Sequence, residues 1–318
     1  MSTSQADVAV LPSPGPNQAY IEVSALEGGM ITLPMQFFIK DAATNEVKVC
    51  PSLAFSLRHV PSGTHLVFDL GLRRDTSTYP PLVQGIAEKY MPYTVPQSVD
   101  ESLLKGGIDP KDVSTIIISH LHWDHIGDPG PFVNATFVIA EAGRALLENG
   151  YPTNPKSDIL QSCVPLERTR FLPASAFDTA IGPFPRAHDY FGDGSLYLVD
   201  AIGHLAGHLN VLARTSAEGS WIYLGSDTAH DKRLLTGEKE VAVIVDPAGH
   251  THCAHANKED AVEHIRRVRT LSGVPKVDVL LAHDEEWYER NKGGSVFLPG
   301  RIPARMQLEV EESVADLR

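Results

Sequence analysis

The sequence predicts an α+β protein in which two β-sheets pack face to face with helices on the outside. Three observations predict it. Short apolar runs separated by turn residues recur along the chain, a series of strand patterns gives way to a helical one and then does so again, and no internal repeat of fixed period stands out. With 318 residues, 42% of them hydrophobic and 21% charged, the chain can bury a substantial core as one large domain or as two fused halves.

The elements follow in order. Residues 1–18, rich in Ser, Pro and Asn, read as a flexible tail or a segment draped over the surface, and residues 19–318 as a single domain. Strand patterns begin with "YIEVSAL" at Tyr20 and continue through "MITLPMQFFI", "SLAFSLRHV" and "HLVFDLG". The last two flank the turn sequence "PSGT", which predicts a hairpin. "PPLVQGIAEKYM" is an amphipathic helix opened by proline, and "SVDESLLKGG" is a second, capped by Ser98 or Asp100 and closed by glycine. Strands at "DVSTIIISH" and "ATFVIA" precede a helix at "EAGRALLENG". The stretch from 152 to about 185 has several prolines and weak periodicity, and reads as an extended insertion. Strands resume with "GSLYLVDAIG", "LNVLARTS" and "SWIYLGSD". "NKEDAVEHIRRVRTLSG" then has the Asn cap, early acids and late arginines that suit a helix dipole, and "VDVLLAHD" is a final apolar strand.

Charge and cysteine usage narrow the function classes. A formal net charge of -13 without a compensating Lys/Arg cluster repels phosphate backbones and anionic lipid, so neither nucleic acid nor a membrane is an expected partner. Cys50, Cys163 and Cys253 are far apart and form no Cys-x-x-Cys pair, which argues against a disulfide framework and a thiolate zinc site; each is expected to be a small buried hydrophobe. The first residues lack the basic and apolar regions of a signal peptide, and no run approaches the ~20 apolar residues of a membrane span. The expected location is the cytoplasm, as a monomer or homodimer.

The densest chemistry lies in "SHLHWDHIGD", which follows the apolar run "VSTIII". A strand delivers a rigid backbone at its C-terminal end, and a tight loop there can turn several side chains toward one point. His120 and His122 can then face one cation, with Asp124 and His125 reaching a second. Neutral imidazole and carboxylate suit zinc or a similar divalent ion, and two adjacent ions need a shared oxygen ligand to offset their repulsion. Four ligands are too few for two ions. Further candidates recur where an apolar strand meets a polar loop: His204 and His208 in "AIGHLAGHLNVL", Asp227 in "WIYLGSD", His283 and Asp284 in "VDVLLAHD".

In this order, H-x-H-x-D-H, then "HLAGHLN", then an Asp and a His each after an apolar strand, the chain resembles the metallo-β-lactamase superfamily, and within it the branch of acyl-homoserine lactonases. The resemblance implies an αββα sandwich with a dinuclear metal site at one edge and two divalent ions, zinc first among them. It implies that His120, His122 and His208 bind the first ion, that Asp124, His125 and His283 bind the second, and that Asp227 bridges. On spacing alone His204 competes with His208; the family pattern puts the ligand on the second histidine and leaves His204 a supporting or turn role.

Several neighbours carry two readings. Asp69 in "VFDLG" is a strand-end turn residue or the acceptor that orients a metal-bound imidazole. Asp128 reads as a loop or cap residue, and Trp123 as packing under the loop or walling the pocket. His250, His252 and His255 beside Cys253 form either a histidine-rich loop capping the next helix, which is the expected reading, or a second metal site, or a contribution to the substrate pocket.

The chemistry expected of such a site is direct hydrolysis of a small cyclic ester or amide by a metal-bridging hydroxide, with Asp124 moving the proton to the leaving group. No G-x-S-x-G elbow supplies a competing serine nucleophile. Lactonases of the family have a tyrosine three residues after the bridging aspartate, and here "SDTAH" places His230 there. An imidazole can take over the hydrogen bond to the carbonyl and, as imidazolium, suits a more basic leaving group such as an amide nitrogen. The alternatives are a glyoxalase-type thioester hydrolase and a non-hydrolytic dimetal protein.

Overall fold

The computed structural model describes residues 10–245 and 248–305. Two six-stranded sheets form its centre, and in each the spatial order of strands equals their order in the chain. The first comprises β1 (Ile21–Leu26), β2 (Ala54–His59), β3 (His65–Phe68), β4 (Thr115–Ile117), β5 (Thr136–Ala140) and β6 (Thr169–Leu172). The second comprises β7 (Thr179–Ile181), β8 (Phe184–Asp189), β9 (Leu196–Asp200), β10 (Leu209–Arg214), β11 (Trp221–Leu224) and β12 (Val277–Leu280).

β1, β2 and β3 are antiparallel neighbours, and β2 and β3 are joined by a hairpin with "PSGT" at its turn. The pairs β3/β4, β4/β5 and β5/β6 are parallel, as is β11/β12. Parallel neighbours require crossovers. Between β3 and β4 the chain runs through helices α1 (Pro81–Lys89) and α2 (Val99–Lys105); α3 (Arg144–Glu148) follows β5. The β11–β12 crossover carries α4 (Lys232–Thr236) and α5 (Lys258–Ser272), and α6 (Glu285–Asn291) follows β12.

Period-two alternation assigns the faces. Leu209, Val211 and Ala213 of β10 enter the layer between the sheets, where they meet Phe55, Leu57, Leu66 and Phe68. Leu212 points the other way and packs with Tyr223 against Val268 and Leu271 of α5. On the outer face of the first sheet, Val67, Ile116 and Phe137 share a core with Val83 of α1 and Leu103 of α2. Three apolar layers therefore separate four layers of structure, the αββα arrangement expected. Each fully buried Leu, Val or Phe contributes about 1.5–3 kcal/mol relative to exposure, so the middle layer fixes the two sheets face to face.

Local chemistry explains the helix ends. Asn257 caps α5 by accepting from the Asp260 backbone N–H, with Glu259 and Asp260 in the first turn and Arg269 in the last. Glu101 reaches back to the Ser98 N–H at the start of α2.

The stretch from 152 to 185 is more regular than its sequence suggests. β6 closes the edge of the first sheet, and β7 and the start of β8 build the edge of the second, leaving only the part before β6 as an excursion. Strands of three or four residues between prolines are too short to show periodicity. Residues 1–9 of the proposed tail lie outside the described residues, as do 306–318. Further along, Leu11 packs on the outer face of the second sheet and the Pro12 carbonyl accepts from Arg214. Among the described residues no helix is long and apolar enough to cross a membrane.

Candidate metal centre

The loops that leave β4, β9, β11 and β12 meet at one edge of the sandwich, where the two sheets abut. The β4 loop carries four of the side chains singled out in the sequence. It turns back sharply at Gly127, whose φ is +35° and where a Cβ would lie 2.2 Å from the Leu70 carbonyl oxygen. The Leu70 N–H donates to the His125 carbonyl at 2.8 Å, which anchors the loop to the chain leaving β3.

Two clusters result. In the first, Nε2 of His120, Nδ1 of His122 and Nε2 of His204 lie 3.0–3.1 Å from one another. In the second, Nε2 of His283 lies 3.4 Å from Asp124 Oδ2 and 3.3 Å from Asp227 Oδ1, which is 3.1 Å from Nε2 of His125. Asp227 stands between them. Its Oδ1 faces His125 and His283, and its Oδ2 faces His120 at 3.7 Å and His204 at 3.5 Å.

The third imidazole of the first cluster corrects the sequence-based expectation: it is His204, not His208. His208 is buried, but its Nδ1 donates to the Ala201 carbonyl at 3.1 Å and its Nε2 lies 3.4 Å from the Asn210 amide. Strand parity explains this. His208 immediately precedes β10, so it shares a face with Asn210 and Leu212, the face turned toward α5. His204, in the loop after β9, is free of that constraint.

Most of the inward-facing rings are held from behind. Asp69, at φ +63°, accepts from the Ser119 N–H at 2.6 Å, the Ser119 hydroxyl at 2.7 Å and His125 Nδ1 at 2.9 Å. This is the imidazole-orienting role its sequence position allowed. His120 Nδ1 meets the Ser119 hydroxyl at 2.9 Å, and His283 Nδ1 donates to the Pro51 carbonyl at 2.8 Å. Asp128 accepts from the Gly130 N–H and shapes the loop, and Trp123 packs against Tyr79 and Tyr93. His230 places Nε2 3.2 Å from Asp227 Oδ2 and lies over the Phe38 ring, with centroids 4.5 Å apart. His255 puts Nδ1 3.2 Å from His204 Nδ1, a contact no spacing rule signals, whereas His250 and His252 are exposed. Among the described residues those three histidines form no ligand group of their own.

Electrostatics separates the two clusters. Burial, with His125 and His122 nearby, holds His120 well below the ordinary imidazole range; burial and the same neighbourhood of rings do so for His204. Burial also pushes His125 and His283 down, but the Asp227 and Asp124 carboxylates outweigh it and raise both. Asp227 itself is drawn well below the carboxylate range by those rings against the opposing effect of burial. Burial, with His230 beside it, pushes His255 down to about 3.

The donors fit divalent cations. His125 Nε2 and Asp227 Oδ1 are buried and make no hydrogen bond, although folded proteins seldom leave such atoms unpaired. Three ring nitrogens within 3.1 Å of one another present more lone pairs than protons, and a cation among them resolves the conflict. All the donors are imidazole nitrogens and carboxylate oxygens.

Residues 48–213 match the family model described as the metallo-beta-lactamase superfamily. The chain belongs to the metallo-beta-lactamase superfamily. It is 31% identical over 315 residues to cytochrome P450 monooxygenase mpaDE' of Penicillium brevicompactum, a match that covers 90% of this chain and 36% of that protein. Gamma-lactamase MBL2 of Gibberella moniliformis is 34% identical over 176 residues, 52% of this chain and 70% of the relative. Among solved structures, a variant of AiiA from B. thuringiensis with N-decanoyl-L-homoserine bound at its active site superposes with a TM-score of 0.68 at 18% identity, covering 89% of this chain and 99% of that one. That likeness establishes the shared metallo-β-lactamase fold. The chain spans only about a third of the first curated relatives it matches, 36% of their length. The family is the one that the order of the metal-ligating motifs resembles.

Proposed function

We propose that this chain hydrolyses a small cyclic amide or cyclic ester with the help of two divalent cations, zinc being the ion best matched to the donors. The observation that carries the reading is Asp227, whose two oxygens face two separate clusters of nitrogen and oxygen donors. His120, His122 and His204 would hold the first ion, Asp124, His125 and His283 the second, with Asp227 shared. Two such ions, when bound, would supply Lewis acidity to a water and to a carbonyl oxygen, and no protein nucleophile would then be needed.

The chain's own groups supply the rest. Asp124, 7% exposed, is the most accessible of the buried carboxylates at the site and is placed to take the proton from the attacking water and deliver it to the departing atom. His230 keeps Nε2 against Asp227, while its Nδ1 is buried without a hydrogen bond. A proton-donating imidazole beside the shared carboxylate suits the nitrogen of an opening lactam, which departs as a stronger base than the alkoxide of an opening lactone. The name of the 34%-identical gamma-lactamase supports the same substrate class.

The experiment is a panel of γ-lactams, lactones, cyclic carbamates and thioesters assayed with zinc-reconstituted protein, alongside His230→Ala. Turnover of cyclic amides or esters, lowered by at least an order of magnitude in His230→Ala, is expected. Hydrolysis confined to thioesters, or a trapped acyl-protein adduct, would overturn the reading.

A further inference from the structure

His255 falls in the histidine-rich run that no motif absorbs, yet the structure brings it against the metal centre. The protonation of two rings follows from geometry. His204 turns Nε2 toward His120 Nε2 and His122 Nδ1, at 3.1 and 3.0 Å. A nitrogen that offers its lone pair to a cation carries no hydrogen, so the single ring hydrogen of neutral His204 resides on Nδ1. That Nδ1 faces His255 Nδ1 at 3.2 Å. His255 must therefore accept there and carry its own hydrogen on Nε2.

The backbone fixes the pair. The Ala256 N–H donates to the His204 carbonyl and the Asn257 N–H to the Gly203 carbonyl, both at 2.9 Å. Gly203, at φ +120°, lies so close to the start of α5 that a Cβ would come 2.2 Å from the Ala261 nitrogen. The turn bearing His204 is thus docked on the loop bearing His255, which is itself 3% exposed. Elsewhere in the centre the partners of metal-facing rings are a carboxylate, a hydroxyl and a carbonyl: Asp69 for His125, Ser119 for His120, Pro51 for His283.

We infer that His255 is a positioning residue that accepts the Nδ1–H of His204 and thereby sets the affinity of the first metal position. The inference rests on the reading of the first cluster as an ion site. Partners of this kind typically change metal affinity about 10–100-fold.

The test compares the unmodified 318-residue chain with His255→Leu, which removes the acceptor, and His255→Asn, whose amide oxygen restores one near the Nδ1 position. Zinc affinities are measured by competition with a chromophoric chelator, and the visible absorption of the cobalt-loaded protein is recorded. Thermal melting of the metal-free forms reports any loss of fold. The expected result is that His255→Leu weakens one of two zinc sites at least tenfold and shifts the cobalt spectrum. His255→Asn should return both to within a few-fold of the unmodified protein, with the metal-free melts alike. Two sites of unchanged affinity and spectrum in His255→Leu would overturn the inference. Equal weakening in both variants would do so too. Failure of the unmodified protein to bind two equivalents would instead refute the dimetal reading itself.

Discussion

Asp69 offers the sharpest test of how the centre is held. Its carboxylate accepts three short hydrogen bonds, at 2.6, 2.7 and 2.9 Å, and a longer one from the Ser226 hydroxyl at 3.4 Å, and its backbone is left-handed at φ +63°. Asp69→Asn keeps the shape, and Asn tolerates that backbone region, but its NH₂ end must face one of the donors. Losing one charge-assisted bond costs about 1.5–3 kcal/mol, and misorientation of His125 should weaken the second ion roughly 10–100-fold. Asp69→Ala removes all of these bonds and adds about 1–2 kcal/mol for left-handed backbone. Together these losses rival the ~5–15 kcal/mol stability of a whole domain, so the asparagine variant is the informative one. Urea unfolding of the metal-free protein and zinc competition measure the two effects separately. An Asp69→Asn protein that unfolds within about 0.5 kcal/mol of its parent and binds both ions equally well would refute the argument.

Two further outcomes follow from the geometry. His204→Ala should lose one of two zinc equivalents by elemental analysis. His208→Ala should retain both while losing about 1–3 kcal/mol, because the buried Ala201 carbonyl loses the imidazole that donates to it; the reverse pattern would favour His208 as the ligand. His264, bonded to Tyr223 and Asn210, is pushed down to about 3 by burial and by Arg267, against an unfolded value near 6.5. Between those values the unfolded chain binds a proton that the fold does not, so this group's contribution to stability is lost as the pH drops from about 6.5 toward 3, by up to about 1.4 kcal/mol per unit. His264→Gln should flatten the acid limb of a stability-against-pH curve. An unchanged slope would mean the ring is not held neutral.

Much of the fold was legible because its strands alternate. The hairpin around "PSGT", the runs that became β9, β10 and β11, and the capped α5 all announce themselves by period and turn chemistry. β6 and β7 do not, since neither has residues enough to alternate. At the site, His120, His122, Asp124 and His125 sit together in one loop, and Asp227 and His283 each follow an apolar strand, so the sequence brings them into view. Between His204 and His208 the family pattern points to the second histidine, while β10 itself points to the first: a residue two before Asn210 must share its face. His255 had no such signal. Its place depends on the docking of Gly203 against α5, a contact across 58 residues of chain that no local pattern encodes.

The donors at the centre come from both halves of the sandwich: His120, His122, Asp124 and His125 from the first sheet, His204, Asp227 and His283 from the second. Ions seated there would act as rivets through the seam, and any sliding of one half over the other would have to break them. Ion concentration then becomes a control on mechanical integrity, adding about 4 kcal/mol when it exceeds the dissociation constant a thousandfold.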